Sequence, residues 1–184
     1  VSLGPSGAVH VLFRRTSPHN TILLTEQFNS FCLMCSQPPK KEDDSYRIPQ
    51  VLRLLELIDP SATEIGLSGG EPTLLGDSFL AIVAKARDSL PYTALHVLSN
   101  GRLFKSPDFA QRLAAIGHPD LMLGIPLYSD VDTIHDYVVQ AAGAFHETMR
   151  GLHNLGASGV RLEIRVVLHR QTYRRLPRLA EFIW

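Results

Sequence analysis

The chain is poor in cysteine, has no excess of charge of either sign and contains no long apolar run. Its 184 residues include two cysteines, and 18 Lys and Arg balance 18 Asp and Glu. Two cysteines are too few for a secreted disulfide framework, which favours a reducing cytoplasm. Balanced charge argues against general nucleic-acid binding. No apolar stretch approaches the roughly 20 residues of a membrane span, and no signal peptide opens the chain, so we expect no membrane association.

The composition predicts a single globular domain. Hydrophobic residues make up 45% and charged residues 20% of the chain, which is ordinary for a soluble fold with a sizeable core. The chain starts at Val1 rather than Met and stops at Trp184, inside an apolar, helix-like stretch that begins at Leu176. We therefore expect it to be a piece of a longer protein.

Apolar runs typical of strands alternate with segments typical of helices. Helical patterns begin near Pro49, Asp77, Pro107 and Phe145. The strand-like runs are 22–24, 64–68, 94–99, 121–127 and 160–168, with one further strand expected near 9–13. This alternation predicts an α/β fold with a parallel sheet. Right-handed crossovers then curl five such units into most of a barrel.

Polar and glycine-rich segments follow the ends of the predicted strands. They are the cysteine-bearing segment 28–35 and the segments 69–72, 99–101 and 128–129. Active sites of parallel α/β folds lie at the carboxyl ends of the strands, so we expect these segments at one rim. Plainer interpretations stay open, because a Gly-Gly turn and an Asn-Gly turn are both common without any ligand.

The last predicted strand carries charge on one of its two faces. Glu163, Arg165 and His169 alternate with Leu162 and Ile164. A central parallel strand is expected to be apolar on both faces. The pattern therefore favours a strand that faces the wet interior of an incomplete barrel, and an edge strand with a solvated face is the alternative.

The cysteine and glycine segments resemble the opening of a radical S-adenosylmethionine (SAM) enzyme. The signature of that family is CxxxCxxC after the first barrel strand, and GGEP often follows the second strand. Cys32 and Cys35 match the last two cysteines, 69–72 reads Gly-Gly-Glu-Pro, and position 28, where the first cysteine would fall, is Phe. The resemblance implies a partial TIM-like (β/α) barrel over 21–184, truncated before its last strand, behind an N-terminal extension over 1–20.

The resemblance also implies cofactors and ligands. In the family, three cysteine thiolates hold a [4Fe-4S] cluster. SAM binds the iron that no cysteine holds. An electron from the cluster then breaks a carbon–sulfur bond of SAM, and the resulting 5′-deoxyadenosyl radical abstracts hydrogen from the substrate. Cys32 and Cys35 would ligate the cluster. The expected SAM-binding residues are Gly69, Gly70, Glu71, Asn100, Ser129 and Arg165.

Four of these six expected SAM contacts have a specific physical reason. Gly69 and Gly70 would let the backbone approach the methionyl end of SAM, and Glu71 would accept hydrogen bonds from its ammonium group. Arg165 carries a charge that suits the SAM carboxylate. An ion pair between Arg165 and Glu163 is an equal alternative.

A narrower resemblance covers nearly everything from Ile22 onward. The segments 24–39, 118–129 and 134–137 resemble the radical SAM maturase of the His-Xaa-Ser system, its component C. That family implies a peptide or small-protein substrate with His-Xaa-Ser repeats and a companion radical SAM protein as a second partner.

Three other interpretations of the same residues stay open. Cys32 and Cys35 are half of a zinc site, which would need two further ligands from scattered histidines. They also match the CxxC spacing of a redox pair. A third interpretation keeps the radical SAM fold without the chemistry, as a protein that binds a peptide or partner and has lost its cluster through Phe28.

Overall fold

The computed structural model describes residues 1–4, 6–37, 40 and 43–184. Two short strands, β1 (Ser2–Leu3) and β2 (Val9–His10), form an antiparallel hairpin near the start of the chain. The strand expected near 9–13 is thus shorter and pairs outside the main sheet. The proposed boundary at residue 20 stays a prediction, and Pro38 and Pro39 at the end of the segment 24–39 lie outside the described residues.

A five-stranded parallel sheet forms the centre of the fold. Its strands follow one another in chain order, so that β3 and β7 lie at the two edges. The bounds are β3 (Asn20–Leu23), β4 (Glu64–Ser68), β5 (Ala94–Leu98), β6 (Leu121–Pro126) and β7 (Arg161–Arg165). The prediction of an α/β fold with five parallel strands in a partial TIM-like barrel is confirmed.

Helices connect the strands, and short 3₁₀ segments follow three of the strand ends. The helices are α1 (Arg47–Leu57), α2 (Asp77–Ser89), α3 (Pro107–Ala115), α4 (Asp132–Val139), α5 (Ala144–Ala157) and α6 (Leu176–Ile183). The 3₁₀ segments are Pro72–Leu75, Arg102–Lys105 and Tyr173–Arg175. The sequence patterns located five of these six helices and missed α4. None of the helices formed by the described residues is long and apolar enough to cross a membrane.

The core lies between the helices and one face of the sheet. Helix α2 shows why: Phe79, Ile82, Val83 and Ala86 recur at helical spacing and are fully buried. They pack with the alternate strand residues, such as Ile65, in one hydrophobic cluster. Burial of this apolar area, at about 25 cal/mol per Å², is the main force that fixes the sheet against its helices.

The other face of the sheet is polar near β7. Glu163 Oε2 lies 3.0 Å from His96 Nε2 of β5, and Arg165 Nε lies 3.8 Å from the same carboxylate. Gly124 of β6 makes room between them, because a Cβ there would lie 2.9 Å from both His96 Nε2 and Arg165 Cδ. Strand β7 is therefore both an edge strand and a strand with a charged interior face.

The last strand is shorter than the pattern 160–168 predicts. β7 ends at Arg165, whose carbonyl accepts the final ladder bond from Leu127 N at 3.0 Å. Val167 and Leu168 beyond it are exposed. The apolar alternation of the sequence continues beyond Arg165, but the pairing with β6 ends there. The sequence pattern therefore predicts a longer strand than the sheet contains.

Helix α5 packs directly on the loop after β5. A Cβ at Gly151 would lie 2.1 Å from the carbonyl oxygen of Gly101, whereas a Cβ at Gly156 in the same helix would meet nothing within 4 Å. Helix α5 can therefore come this close to the loop after β5 only because position 151 is glycine.

We expect Gly151→Ala to lower the free energy of unfolding by about 2 kcal/mol, because the added methyl group forces α5 away from the Gly101 loop. Gly156→Ala is the matched control and should raise it by up to about 1 kcal/mol, since alanine favours the helix and clashes with nothing. Urea unfolding measures both. A Gly151→Ala protein as stable as the unmodified chain would contradict this packing.

Candidate functional site

The cysteine loop, residues 24–37, leaves the carboxyl end of β3 and runs alongside the end of β4. Gly70 N donates to Thr25 O and Glu71 N donates to Gln27 O, both at 2.8 Å. A Cβ at Gly69 would lie 2.3 Å from Thr25 O, and a Cβ at Gly70 would lie 2.0 Å from Gln27 O. The two glycines are therefore required for the close approach of the chain's own cysteine loop. Their contact with SAM stays a prediction.

Asp44 closes the base of the cysteine loop. Its buried carboxylate accepts hydrogen bonds from Thr25 Oγ1 at 2.9 Å and from Glu26 N at 2.6 Å. Arg47 lies at the start of α1. Its Nε is 3.7 Å from Asp44 Oδ2, and its Nη2 is 2.9 Å from Glu26 Oε2. Sequence reasoning missed Asp44, because an acidic residue before a helix reads equally well as a solvated charge.

Glu71 lies in the interior with 1% of its surface exposed. Its carboxylate accepts four hydrogen bonds: from Thr73 N (3.1 Å), Thr73 Oγ1 (2.6 Å), Ser99 Oγ (2.7 Å) and Asn100 N (2.7 Å). Burial raises the pKa of Glu71, and the four donors act in the opposite direction. The side chain thus ties the loop after β4 to the loop after β5. Donors of the protein itself already surround this carboxylate. Its acceptance of hydrogen bonds from SAM stays a prediction.

The loop after β5 in turn holds the cysteine loop. Asn100 Nδ2 donates to Asn29 Oδ1 at 2.6 Å, while Asn100 Oδ1 accepts from Arg102 N at 3.1 Å. Arg102 Nη1 donates to Asn29 O and, at 3.1 Å, to Ser30 Oγ. Asn100 was expected at the site from its place after a strand. Nothing in the sequence indicated that Arg102 contacts the cysteine loop.

Cys32 and Cys35 lie on one turn, closed by Cys35 N donating to Cys32 O at 3.0 Å. Both are free thiols; Cys32 is half-buried and Cys35 is exposed. They share with Phe28 a pocket of about 280 Å³. Phe28 also backs onto Gly70, where a Cβ would lie 2.9 Å from the ring. Phe28 thus lies between the two cysteines, with which it lines the pocket, and Gly70 after the next strand, while neither Gly70 nor Glu71 lines that pocket.

The half-buried side chain of Cys32 packs against an apolar cluster formed by Tyr128, Val138, Val139 and Ala144. Burial raises the pKa of Cys32, and the neighbouring charge of Cys35 raises it further. Burial also raises the pKa of Tyr128 to about 12, with added contributions from Cys32 and Cys35. A redox-active cysteine needs a lowered pKa, so the surroundings of Cys32 do not favour the redox-pair interpretation.

Ser129 and Arg165 lie on the β6–β7 side of the rim. The hydroxyl of Ser129 is buried and accepts from Val131 N at 3.0 Å, so that it is turned into its own loop. Arg165 is part of the charged group with Glu163 and His96, and its charge acts against the rise in the pKa of Tyr128 that burial causes. The ion pair weighed for Arg165 is present, and contact of either residue with SAM stays a prediction.

The loop after β6 is anchored by charge and by a buried histidine. Arg175 donates to Asp130 through Nε at 2.9 Å and Nη2 at 2.7 Å, which joins this loop to the segment before α6. His135 of α4 accepts from Tyr128 N at 3.3 Å through Nδ1. Burial lowers the pKa of His135 to about 4, so that the ring is neutral at pH 7.

A [4Fe-4S] cluster held by three cysteines would find two of its three thiolate ligands in this loop. Cys32 and Cys35 offer thiolates from one turn, but Phe28 offers a phenyl ring, which cannot bind iron. Within the described residues, no group of three or more His, Cys, Asp or Glu side chains lies close enough to hold a metal ion. The zinc interpretation therefore finds no second pair of ligands in that part of the chain.

Comparison with known proteins gives consistent matches. A sequence profile of the Radical SAM superfamily matches residues 26–183. The PqqA peptide cyclase of Granulibacter bethesdensis is 26% identical over 162 residues, which cover 86% of this chain and 41% of the cyclase. This chain spans less than half the length of the cyclase. It also spans less than half of each of the two solved proteins described below.

Solved structures share the fold at low identity. The structure of anSMEcpe with bound AdoMet and the Kp18Cys peptide is 18% identical, with a TM-score of 0.68 over 90% of this chain and 47% of that one. Streptococcus suis SuiB bound to S-adenosylmethionine is 15% identical, with a TM-score of 0.70 over 90% of this chain and 36% of that one. At these identities the similarity shows the fold alone.

Glu71→Gln is expected to lower the free energy of unfolding by about 1–3 kcal/mol. The amide can keep an acceptor oxygen toward only one side, so that a buried backbone N–H of Thr73 or Asn100 loses its partner. Denaturant unfolding measures the change. The exposed Glu181→Gln is the matched control, and an equal, negligible effect at both positions would contradict the structural role of Glu71.

The stability of the protein should fall as the pH drops from 6.5 to 4. The unfolded chain protonates His135 near its ordinary pKa of 6.5, whereas the folded chain resists until about pH 4. This difference corresponds to a loss on the order of 3 kcal/mol. His135→Gln should remove that part of the slope in urea unfolding at pH 7.5 and pH 5. His153→Gln is the control, because His153 is exposed and the change leaves the buried ring of His135 in place. An equal loss of the pH dependence of stability in His153→Gln would contradict the attribution to His135.

Proposed function

The chain belongs to the Radical SAM superfamily, and from this premise we propose that it is a peptide-modifying radical SAM enzyme impaired at its cluster site by Phe28. The observation that carries the proposal is the convergence of three strand-end segments. The cysteine loop, the Gly69–Glu71 segment and Asn100 meet at one rim through direct hydrogen bonds. A site of this kind lies where parallel α/β folds place their ligands.

A peptide is the substrate class that the relatives support. One relative is named as a peptide cyclase, and one structural neighbour holds a peptide together with AdoMet. The charged interior face formed by His96, Glu163 and Arg165 gives this chain polar partners for a peptide backbone or side chain. We further propose a substrate with His-Xaa-Ser repeats and a companion radical SAM protein. Free thiols at Cys32 and Cys35 suit a reducing compartment such as the cytoplasm.

In this proposal the site residues divide into two groups. Cys32 and Cys35 are the cluster ligands. The residues assigned to SAM are Gly69, Gly70, Glu71, Asn100, Ser129 and Arg165. For Glu71 the contribution is to hold the backbone of Asn100 in place, because its carboxylate accepts four hydrogen bonds within the protein.

Phe28 is the reason to propose impairment. A cluster with two thiolate ligands instead of three lacks protein coordination at one additional iron. Phe28 lines the same pocket as Cys32 and Cys35, so that an apolar ring stands where the resemblance places the third thiolate. The bonds that shape the loop come from Thr25, Gln27 and Asn29 rather than from position 28, so we expect the fold to persist without the cluster.

A second candidate function is binding of a peptide or partner without catalysis. The observation that favours it is the exposure of two large apolar side chains on the cysteine loop, Phe31 at 52% and Leu33 at 49%. Apolar groups held out at a rim suit a contact surface. The two functions differ in one measurable respect, which is whether a thiol at position 28 brings back SAM cleavage.

Phe28→Cys should restore a [4Fe-4S] cluster and SAM cleavage, because it returns the third thiolate to a loop that is otherwise held in place. The measurement is anaerobic reconstitution, followed by iron and sulfide content, absorbance and formation of 5′-deoxyadenosine. The unmodified chain should load poorly.

Two variants serve as matched controls for this experiment. Phe28→Ala removes the ring without adding a ligand, and Phe31→Cys adds a thiol at a different place on the loop; neither should restore SAM cleavage. Full loading of the unmodified chain would show that position 28 is not limiting. A folded Phe28→Cys protein that binds no cluster would favour the non-catalytic function.

A further inference from the structure

Arg102 lies at the start of the 3₁₀ segment after β5 and is largely buried, with 14% of its side chain exposed. Its guanidinium group faces two parts of the molecule. Nη1 donates to Asn29 O and to Ser30 Oγ, and Nε donates to Glu147 Oε2 of α5 at 2.7 Å. Three hydrogen bonds from two nitrogen atoms of one planar group thus join helix α5 to the middle of the cysteine loop.

The two loop residues that Arg102 contacts lie between Phe28 and Cys32. Beyond them, Phe31 N donates to Val139 O at 2.9 Å and Leu33 N donates to Val138 O at 3.0 Å, which fixes the following stretch to the end of α4. The loop is therefore attached before Cys32 by Asn100 and Arg102, which both bond to Asn29, and on both sides of Cys32 by the end of α4. Loss of the Arg102 bonds removes two of the three hydrogen bonds that, among the described residues, tie Asn29 and Ser30 to the loop after β5, which loosens the stretch that leads into Cys32.

Glu147 sets the orientation of Arg102. Its carboxylate also accepts from Lys105 Nζ, a more exposed group that does not touch the cysteine loop. Lys105 thus shares the anchor of Arg102 without sharing its contact with Asn29 and Ser30. This difference separates the effect of charge near Glu147 from the effect of holding the loop.

We propose that Arg102 is a positioning residue that holds the cysteine loop so that Cys32 stays packed against the cluster of Tyr128, Val138, Val139 and Ala144, beside the pocket that Phe28 lines. It acts through Asn29 and Ser30 and touches neither cysteine. Its purpose rests on the proposed function, but the position of Cys32 does not depend on whether a cluster assembles.

The test is the rate at which iodoacetamide alkylates Cys32 and Cys35 in the metal-free protein, read by peptide mass spectrometry. Cys32 is half-buried and must be released to react, whereas Cys35 is already exposed. Arg102→Gln should raise the rate at Cys32 about tenfold, since hydrogen bonds from a charged group are lost, and leave the rate at Cys35 unchanged.

Two further variants make the test specific. Lys105→Gln is the matched control and should change neither rate. Arg102→Lys keeps the charge but loses the planar fork, so it should give an intermediate rate at Cys32. Circular dichroism and the melting temperature establish that each variant is folded.

Three results would overturn the role of Arg102. They are an unchanged Cys32 rate in folded Arg102→Gln, an equal rise at Cys32 and Cys35, and an equal rise in Lys105→Gln. If Arg102→Gln does not fold, Arg102→Lys decides, and a rate equal to that of the unmodified protein overturns the role.

A second readout uses the Phe28→Cys protein. Addition of Arg102→Gln should lower its iron content after reconstitution, while addition of Lys105→Gln should not. Failure of Phe28→Cys itself to bind iron would count against the proposed function and leave the alkylation result standing. Unchanged iron content in the double variant Phe28→Cys, Arg102→Gln would count against Arg102 alone.

Discussion

The rim of this sheet depends on one buried carboxylate. Glu71 accepts hydrogen bonds from donors on its own loop and on the loop after β5. A buried acidic group is costly unless its oxygens are fully engaged. Once Glu71 fixes the backbone of Asn100, the side chain of Asn100 meets Asn29 of the cysteine loop. Three segments that are distant in sequence thereby take fixed positions around one acid.

The sequence was a good guide wherever its periodicity was long and regular. The apolar spacing of α2 and the strand pattern of β4 and β5 were sufficient to predict elements, order and parallel pairing. The sequence did not predict helix α4, because its isoleucine and valines are weak helix formers. Its formation depends instead on burial of His135 and Val138, with contact between His135 and Phe145 of the next helix. Tertiary packing of that kind leaves little trace in a short window.

The site was predicted in outline, but the reasons for its residues were not. Gly69 and Gly70 stood out as a pair, yet the atoms that require them belong to Thr25 and Gln27, far away in the chain. Asp44 and Arg102 gave no signal, since polar residues in loops usually face water. Spacing indicates which side chains end near a rim. It does not indicate which of them bond to one another.

The pairing between β3 and β4 continues past both strands into the cysteine loop, where Leu24 N meets Ser68 O and Glu71 N meets Gln27 O. The first part of the loop, as far as Gln27, is therefore an extension of the sheet and takes its position from β4 and the residues after it. Contacts between distant segments form late in folding, after the loop-closure entropy has been paid. During synthesis, the two cysteines would thus leave the ribosome well before their surroundings exist. Metal delivered to the nascent chain would meet only a flexible CxxC peptide.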